Sequence, residues 1–332
     1  MDTIVFFEVE EWEQEYLAKA FPHKNVLFRP HKAQEETESA ALSASVVSTF
    51  IYSTLTAEVL GRFPHLKLIA TRSTGFDHIN TNYCKEKGIT VMNVPTYGAH
   101  TVAEHTFALI LAISRKLIPT VERSRRGNFS LDGLRGFDLA GKTIGVIGDG
   151  NIGSKVIQIA LAFGMQVLVF TRHPGEQKEN KRYVSLDELL RSSDIVTLHI
   201  PHNKETKHLI NRNNIAQFKK GSILINTARG PLVETQAIVE GLQSGILRGA
   251  GLDVLEEECN LKEERQLLTD EFFKTCNLKT QFLNHVLLSR DDVLFTLHNA
   301  FNSQEALQQI LHVTIENIQA FLAGKKENIV SA

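Results

Sequence analysis

A glycine-rich turn constrains the fold of this chain more than any other feature of its sequence. Gly148, Gly150 and Gly153 have the spacing G-x-G-x-x-G, follow the apolar run 143–147 directly and open a segment with helical periodicity. In this setting the first glycine permits a tight turn, the second admits a pyrophosphate close to the backbone, and the third lets helix and strand pack together. The phosphate charge then meets the helix N-terminus. The sequence therefore predicts a dinucleotide-binding unit, with a glycine turn that binds no ligand as the alternative.

The strand that should follow this unit ends without the acidic residue that commonly binds the adenosine ribose. Thr171 and Arg172 stand in its place. A threonine cannot accept both hydrogen bonds of the ribose diol, whereas an arginine can neutralise a 2′-phosphate. The sequence predicts a cofactor that is NAD or NADP: NADP if Arg172 contacts the 2′-phosphate, and NAD if Arg172 is a solvated surface residue.

The length and periodicity of the chain predict two domains of α/β architecture. Its 332 residues exceed the roughly 250 to 300 at which a single hydrophobic core stops growing. Short β-branched or apolar runs alternate with amphipathic segments, as in parallel sheets covered by helices. In the block that contains the glycines, five strands at this spacing predict one doubly wound sheet. These strands are expected near 143–147, 167–170, 195–199, 222–225 and 249–252, with helices near 152–163, 186–191 and 234–244.

The remaining segments add a second set of strands and two long helices. Segment 101–117 has helical periodicity and is apolar on every face in its middle, which predicts a helix that is covered internally or at an interface. A terminal helix is expected over 303–322, where Asn302 and Glu305 have capping-box spacing and Gly324 can end the helix. In the first hundred residues, strands are expected near 4–7, 26–28, 46–51, 66–70 and 90–94, and helices near 11–20 and 56–62.

Charge and cysteine content exclude several classes of function. The chain has 36 Lys plus Arg against 38 Asp plus Glu, so it lacks the basic surplus of a nucleic-acid-binding protein. Three cysteines without paired metal spacing argue against a metal site and favour a reducing compartment such as the cytoplasm. The N-terminus is acidic and the longest apolar run, Phe107 to Ile113, has seven residues. We therefore expect no signal peptide and no membrane span.

Polar residues follow the predicted strands at the edge where ligands bind. Asn226, Thr227, Ala228 and Arg229 follow the strand near 222–225. In a doubly wound sheet, ligands lie beyond the carboxyl ends of the strands, so Arg229 is expected to point at a bound ring and substrate. The next strand ends at Asp253 and is followed by the acidic run 256–258, and His298 stands just before the terminal helix.

Taken together, these motifs resemble the D-isomer-specific 2-hydroxyacid dehydrogenases, and most closely their D-lactate dehydrogenase branch. The resemblance covers nearly the whole chain, and segment 259–292 is similar to an insertion found in the lactate-specific branch. It rests on Thr71 to Ile79, Asn93 to Pro95 with Glu104 and His105, the glycine turn, Asn226 to Gly230, and Asp253 to Glu258.

The resemblance implies a catalytic set of Arg229, Glu258 and His298. A 2-keto acid is an anion whose carbonyl must be polarised, and a guanidinium can contact both its carboxylate and its ketone oxygen. His298 would donate a proton as the alkoxide forms, and Glu258 would favour the imidazolium and orient it. Taken singly, each residue could instead be an ordinary polar group. Leu297 departs from the family, whose members usually carry proline before the histidine.

The resemblance also implies the groups that bind substrate and cofactor. The backbone N–H groups of Thr74 and Gly75 would hold the substrate carboxylate, and Tyr52, Tyr97 and Phe301 would close around a small side chain, unless they are core aromatics. No metal is implied. The cofactor-binding residues would be Gly148, Gly150, Asn151, Ile152, Gly153, Thr171, Arg172, His199, Pro201, Thr227, Ala228 and Asp253.

The fold class implied is two doubly wound parallel-sheet domains. Residues 1–98 and 300–332 would form a flavodoxin-like substrate domain, and residues 99–299 a Rossmann cofactor domain. The helix from Thr101 is similar to the family's dimer-forming helix, so a homodimer is expected. The expected function is reversible hydride transfer between NAD(P)H and a small 2-keto acid, most closely pyruvate and D-lactate. Alternatives are reductases of glyoxylate, hydroxypyruvate or bulkier 2-keto acids, or a dinucleotide-sensing, corepressor-like binding protein.

Overall fold

The structure is a computed structural model that describes residues 2–175, 180–257, 277–325 and 327–330. The chain forms two compact units, Met1–Gly98 with Ser303–Ala332, and Ala99–Asn302. The sequence interpretation divides the chain after residue 98 and again near residue 300. Within the described ranges, no helix has the length and apolar character that crossing a membrane requires.

The first unit contains a parallel sheet whose inner strands are buried because helices cover both of its faces, while the edge strand 25–29 is only partly buried. Its strand order is β2-β1-β3-β4-β5, the flavodoxin-like order. The strands are β1 (Thr3–Phe7), β2 (Asn25–Arg29), β3 (Val46–Thr49), β4 (Leu68–Thr71) and β5 (Thr90–Met92). The helices before residue 98 are α1 (Glu11–Ala20), α2 (Ser39–Leu42), α3 (Ala57–Gly61) and α4 (Thr81–Lys87).

The helix α4 has no counterpart among the predicted elements. It is only seven residues long and buries Cys84 alone, so it carries no apolar periodicity over several turns. Its ends are nevertheless marked in the sequence: the Asn80 side chain accepts a hydrogen bond from the Tyr83 N–H, and Gly88 closes the helix with φ 68°.

The second unit contains a larger parallel sheet of Rossmann type. Over the described residues its order is β12-β11-β10-β9-β6-β7-β8, which is the doubly wound order 3-2-1-4-5-6 with one further strand. The strands are β6 (Thr143–Ile147), β7 (Gln166–Phe170), β8 (Lys181–Tyr183), β9 (Ile195–Leu198), β10 (Ser222–Asn226), β11 (Leu247–Leu252) and β12 (Val293–Phe295). The helices are α5 (Ala99–Ser114), α6 (Leu117–Arg125), α7 (Asn151–Ala162), α8 (Leu186–Ser192), α9 (Thr235–Gln243) and α10 (Leu278–Leu288).

The predicted fold class is confirmed, but the count of five strands in this sheet is wrong. The edge strands β8 and β12 were missed because each has only three residues, and the sequence of β8 is polar. So short a strand forms because it pairs with the neighbouring strand, and its own sequence shows no alternation of apolar and polar residues. The helix predicted over 101–117 ends earlier, at Ser114, and a second helix, α6, starts at Leu117 after Lys116 adopts φ 52°.

Alternation along the strands divides the apolar side chains of the second sheet between two core clusters. Val196, Leu198 and Leu224 face one cluster, while Ile195 and Ile223 face the other. The second cluster includes Phe107 and Ile110 of α5. Part of the apolar middle of α5 is therefore buried within its own unit, whereas Ala108 is exposed and Leu111 to Ile113 are half-buried.

The terminal helix α11 (Gln304–Leu322) corrects one predicted cap. Its N-cap is Ser303, whose side chain accepts a hydrogen bond from the Ala306 N–H. Asn302 instead donates to the Asn299 side chain. The predicted cap was one residue early because both residue types suit the position, and only the backbone decides between them. Gly324 follows the helix with φ 76°, as predicted.

Candidate active site

The glycine turn joins β6 to α7 and leaves space on one side. A Cβ atom on Gly148, which has φ 93°, would lie 2.5 Å from Ile200, and a Cβ atom on Gly153 would lie 1.9 Å from the Gly148 carbonyl oxygen. A Cβ atom on Gly150 would meet nothing within 4 Å. Two of the glycines are therefore required by the protein's own packing, whereas the open side of Gly150 fits the approach of a pyrophosphate.

Groups around this turn are suited to the rest of a dinucleotide. Asn151 and Ile152 form the first turn of α7, whose N–H groups have no acceptor within the helix. The His199 Nε2 lies 2.9 Å from the Thr197 hydroxyl, and its Nδ1 is buried without a hydrogen-bond partner among the described residues. Burial lowers the pKa of His199 to about 3, so the ring is neutral. Pro201 follows at the surface.

The end of β7 lacks a carboxylate, as the sequence indicated. Thr171 is partly buried, and the Arg172 side chain is 71% exposed. The guanidinium lies 3.7 Å from the Glu205 carboxylate. An exposed pair of this kind is weak, so Arg172 can exchange Glu205 for another anion.

Arg229 is held by the loop that follows β10. The buried Asn226 side chain donates to the Arg229 carbonyl and accepts from the Ala228 N–H, which closes the loop on itself. The Thr227 hydroxyl lies 3.0 Å from that of Thr106 on α5. The Arg229 guanidinium is partly buried and donates to the Ala228 carbonyl at 2.7 Å.

His298 is held by Asp253, the residue that follows strand β11. The His298 N–H donates to the Asp253 carbonyl at 2.7 Å. The Asp253 carboxylate, which is 1% exposed, accepts from the Thr296 hydroxyl and from the N–H groups of Asn299 and Ala300. Residues on both sides of His298 are thus bonded to one buried carboxylate. This arrangement fixes the loop that presents the imidazole.

His105 on α5 completes this network and was missed as a site residue. Its Nε2 lies 2.9 Å from the Thr296 hydroxyl oxygen and 3.5 Å from the Asp253 carboxylate. Burial by itself raises the pKa of Asp253, but the hydrogen bonds from His105, Thr296 and the loop outweigh burial, so the net pKa is lowered. The only sequence signal was the position of His105 in a segment that carries the family resemblance.

Two consecutive residues of this loop have left-handed backbone conformations. Leu297 has φ 53° and His298 has φ 55°. Proline is fixed near −65° and cannot adopt the conformation of Leu297. The backbone of this loop therefore could not hold the proline that family members usually carry at this position. The Phe301 ring lies against the His298 ring, with centroids 6.4 Å apart and planes at 74°.

One turn, residues 253–257, connects Arg229 and His298. Asp253 bonds to the His298 N–H, and a Cβ atom on Gly230 would lie 1.9 Å from the Leu255 carbonyl oxygen. The Arg229 loop and the His298 loop therefore both pack on the same short segment. Glu258 follows this turn in the chain, but it lies outside the described residues. Over the described ranges, no group of three or more His, Cys, Asp or Glu side chains could hold a metal ion.

In the first unit, the predicted Thr74 and Gly75 turn is tied down through its neighbours. The Thr74 hydroxyl donates to the Val94 carbonyl, the Asn93 amide donates to the Thr74 carbonyl, and the Ser73 hydroxyl donates to the Gly75 carbonyl. These bonds use side chains and carbonyl groups, so the geometry leaves the backbone N–H groups suited to an anion.

A buried arginine that the sequence did not reveal supports the neighbouring loop. Arg72 is 2% exposed and donates to the carbonyls of Phe7 and Glu8. The Glu8 carboxylate accepts from the Phe50 N–H, and the Phe50 ring packs edge-on against Tyr52. Burial raises the pKa of Glu8, and Arg72 opposes that shift. Tyr52 is exposed and Tyr97 is partly buried.

Known proteins resemble this chain over most of its length. The sequence model of the D-isomer specific 2-hydroxyacid dehydrogenase NAD binding domain matches residues 107–300. A 2-hydroxyacid dehydrogenase homolog of Haemophilus influenzae is 34% identical over 337 residues, covering 98% of this chain and 98% of the relative. The D-lactate dehydrogenase of Escherichia coli is 34% identical over 298 residues, covering 88% and 87%. The glycerate dehydrogenase of Methylorubrum extorquens is 32% identical over 335 residues, covering 99% of each chain.

Solved structures show the same likeness over the whole chain. The D-lactate dehydrogenase of Aquifex aeolicus, complexed with NAD and lactic acid, superposes with a TM-score of 0.86 at 37% identity and covers 99% of both chains. The pyruvate reductase of Chlamydomonas reinhardtii superposes with a TM-score of 0.86 at 34% identity and covers 98% of both.

The chain belongs to the D-isomer-specific 2-hydroxyacid dehydrogenases. Its class of activity is the NAD-linked interconversion of 2-hydroxy and 2-keto acids. The family and the enzyme class predicted from the sequence are confirmed.

We predict that Gly150→Ala weakens coenzyme binding without harming the fold. The added methyl group enters open space in the protein but meets the pyrophosphate, so the Kd for NADH should rise at least about tenfold. Gly150 is the N-cap of α7, where alanine is disfavoured, so urea unfolding should show only a small loss of stability. Gly153→Ala is the matched variant, since its methyl group collides with backbone and should lower stability. Wild-type NADH affinity in Gly150→Ala would contradict this role for Gly150.

We predict that Asp253→Asn destabilises the second unit and slows catalysis. Loss of the buried carboxylate should cost about 2 kcal/mol of unfolding free energy and lower kcat at least about tenfold, because the His298 loop is displaced. The lowered pKa of Asp253 means that its stabilisation is present above its ordinary value of 3.8 and is lost as pH falls through the lower folded-state pKa.

Urea unfolding at several pH values, with kcat at neutral pH, checks the effect of Asp253→Asn. The difference in unfolding free energy between the wild type and Asp253→Asn should be largest near neutral pH and should decrease only in acid. The exposed Asp291→Asn serves as the control. A gap that persists undiminished in strong acid would show that the charge of Asp253 is not the stabilising feature.

Proposed function

We propose that this enzyme reduces a short 2-keto acid to the D-2-hydroxy acid, with pyruvate and D-lactate as the leading pair. The observation that carries the proposal is the turn at 253–257, on which the Arg229 and His298 loops both pack. The likeness to a D-lactate dehydrogenase complexed with NAD and lactic acid supports the choice of substrate.

The residues have distinct roles in this reaction. Arg229 binds the substrate carboxylate and polarises the ketone, because a guanidinium offers several N–H donors in a fixed geometry. His298 gives a proton to the ketone oxygen during reduction and takes it back during oxidation. Glu258 would orient the imidazole and favour its protonated form. The bound coenzyme supplies the hydride to the carbonyl carbon, and the glycine turn, His199 and the residues after β10 would hold it.

The same proposal assigns the substrate side chain to aromatic residues. Thr74 and Gly75 would donate their N–H groups to the carboxylate. Tyr52, Tyr97 and Phe301 would restrict the size of the group next to the ketone, which suits a methyl group. The relation to a glycerate dehydrogenase makes hydroxypyruvate and glyoxylate the second candidates. The proposal includes a cytoplasmic location, in keeping with the buried free thiol of Cys84.

Steady-state oxidation of NADH and NADPH with a panel of 2-keto acids tests the function. We expect the highest kcat/KM with pyruvate and a product that reacts as D-lactate. His298→Ala should lower kcat at least about 100-fold, as loss of a general acid does, while NADH binding is retained. Preference for hydroxypyruvate would move the enzyme to the glycerate branch. No turnover with any 2-keto acid would favour the dinucleotide-sensing alternative.

We propose that Arg172 lets the enzyme accept NADP. It is exposed, it follows β7, and its partner Glu205 is bound loosely across 3.7 Å. A 2′-phosphate offers a stronger partner than a single exposed carboxylate, because it carries about two charges and three acceptor oxygens.

We predict that Arg172→Ala lowers kcat/KM for NADPH about tenfold and changes that for NADH little, since one charge-assisted pair is lost. Arg212→Ala is the control, because Arg212 is also exposed and paired with a glutamate. If the ratio of kcat/KM for NADPH to kcat/KM for NADH is the same in Arg172→Ala as in the wild type, the end of β7 does not influence cofactor choice.

We propose that the enzyme is a homodimer in which α6 and the following segment contribute to the interface. These residues expose apolar side chains, and a protein seldom leaves such a surface uncovered. Leu117, Ile118 and Val121 lie on α6, and Phe129 and Leu131, which are 82% and 80% exposed, follow it.

Sedimentation equilibrium should give twice the chain mass of 37.2 kDa for the wild type. The double variant Phe129→Asp, Leu131→Asp should raise the dimer dissociation constant at least about 100-fold, since two apolar anchors become charged. A monomeric wild type, or a double variant that dimerises normally, would rule out this interface.

A further inference from the structure

A negative charge lies inside the glycine turn. Asp149 stands between Gly148 and Gly150, directly after β6. The pyrophosphate of a dinucleotide is a dianion, and the turn exists to bring it close to the backbone. An uncompensated carboxylate at this position would repel the coenzyme. The chain must therefore offset the charge of Asp149, and the structure shows how.

Two residues of the edge strand β8 contact this carboxylate. The Tyr183 hydroxyl donates to the Asp149 carboxylate at 2.7 Å. The Lys181 ammonium donates to the Tyr183 hydroxyl oxygen at 2.7 Å and lies 3.7 Å from the same Asp149 oxygen. Lys181 and Tyr183 are two residues apart, so both side chains leave the strand on one face. The Asp149 and Lys181 side chains are only about one-fifth exposed.

The cluster of Asp149, Tyr183 and Lys181 lies beside the segment that carries Arg172. A Cβ atom on Gly175 would lie 2.9 Å from the Tyr183 hydroxyl oxygen, so the segment that follows β7 passes over the tyrosine ring. In a Rossmann unit, this segment borders the adenosine ribose. The cluster therefore joins the pyrophosphate turn to the place where a 2′-phosphate is recognised.

We infer that Lys181, through its pairing with Asp149, helps the enzyme to accept a 2′-phosphorylated coenzyme. Lys181 cancels the charge of Asp149, and Tyr183 holds the two groups together. The pair is then neutral towards the 2′-hydroxyl of NAD and no longer repels the 2′-phosphate of NADP. Arg172, at the surface, attracts that phosphate. Lys181 instead cancels the repulsion between Asp149 and the phosphate. This inference rests on the proposed coenzyme site.

The charges predict an asymmetric response when Lys181 is removed. An unpaired Asp149 would repel the pyrophosphate of both coenzymes. It would also repel the 2′-phosphate, which only NADPH carries. The pair is partly buried, so solvent screens it less than an exposed pair. We therefore expect a selective loss of NADPH affinity. A purely mechanical role for β8 would instead weaken both coenzymes equally and lower stability.

Isothermal titration of the purified protein with NADH and NADPH tests the inference without relying on turnover. Lys181→Met should raise the Kd for NADPH about tenfold and that for NADH at most about threefold. Asp149→Asn combined with Lys181→Met should return the Kd for NADPH to within about threefold of wild type, because no charge is left unpaired. Added salt should shrink the effect of Lys181→Met. Lys220→Met is the control for loss of a surface lysine.

The outcomes separate this inference from the proposed function. A wild type that binds neither coenzyme contradicts the proposed function itself. A wild type that binds NADH alone leaves the dehydrogenase intact and overturns the inference. Equal losses for both coenzymes in Lys181→Met, or a double variant that does not recover NADPH binding, likewise overturn it.

Discussion

The site depends on one buried carboxylate, that of Asp253. This carboxylate accepts hydrogen bonds from Thr296, Asn299 and Ala300. The backbone carbonyl of Asp253 accepts from the His298 N–H. A carboxylate this deeply buried is stable only because these donors replace water. The loop that carries His298 is therefore held by the residue that follows β11. Rigidity of this kind suits the general-acid role proposed for His298, since a small displacement would remove its proton from reach.

The coenzyme end of the second unit depends on compensation of charge. Its turn must attract phosphates, yet it contains Asp149, and the adjoining strand lacks the usual acidic ribose ligand. Lys181 offsets the charge of Asp149, and Tyr183 donates to the same carboxylate. Arg172 stands where the acidic ribose ligand is usual. In our proposal both features favour a 2′-phosphate, so several charges and not one residue would set the choice of coenzyme.

The sequence was most informative where a residue type is demanded by backbone geometry or by strong periodicity. The glycine turn, the buried strands such as 143–147 and the helix 11–20 were predicted closely, because their signals are local. The edge strand β8 was missed because it becomes a strand only by pairing with β7. The partnership of His105 with Thr296 could not be predicted either, since 191 residues of chain separate them. Leu297 was recognised as unusual, but its backbone conformation was not visible in the sequence.

By itself, the sequence determined the fold class, the dinucleotide turn and the family, since glycine spacing and apolar alternation act over a few neighbouring residues. Only the tertiary structure decided which groups support them. The attachment of Arg229 and His298 to one turn, the burial of Asp253 and the pairing of Asp149 with Lys181 all join distant parts of the chain. Such contacts follow from how strands order themselves in the sheet, and hydrogen bonds and charges act through space and not along the sequence.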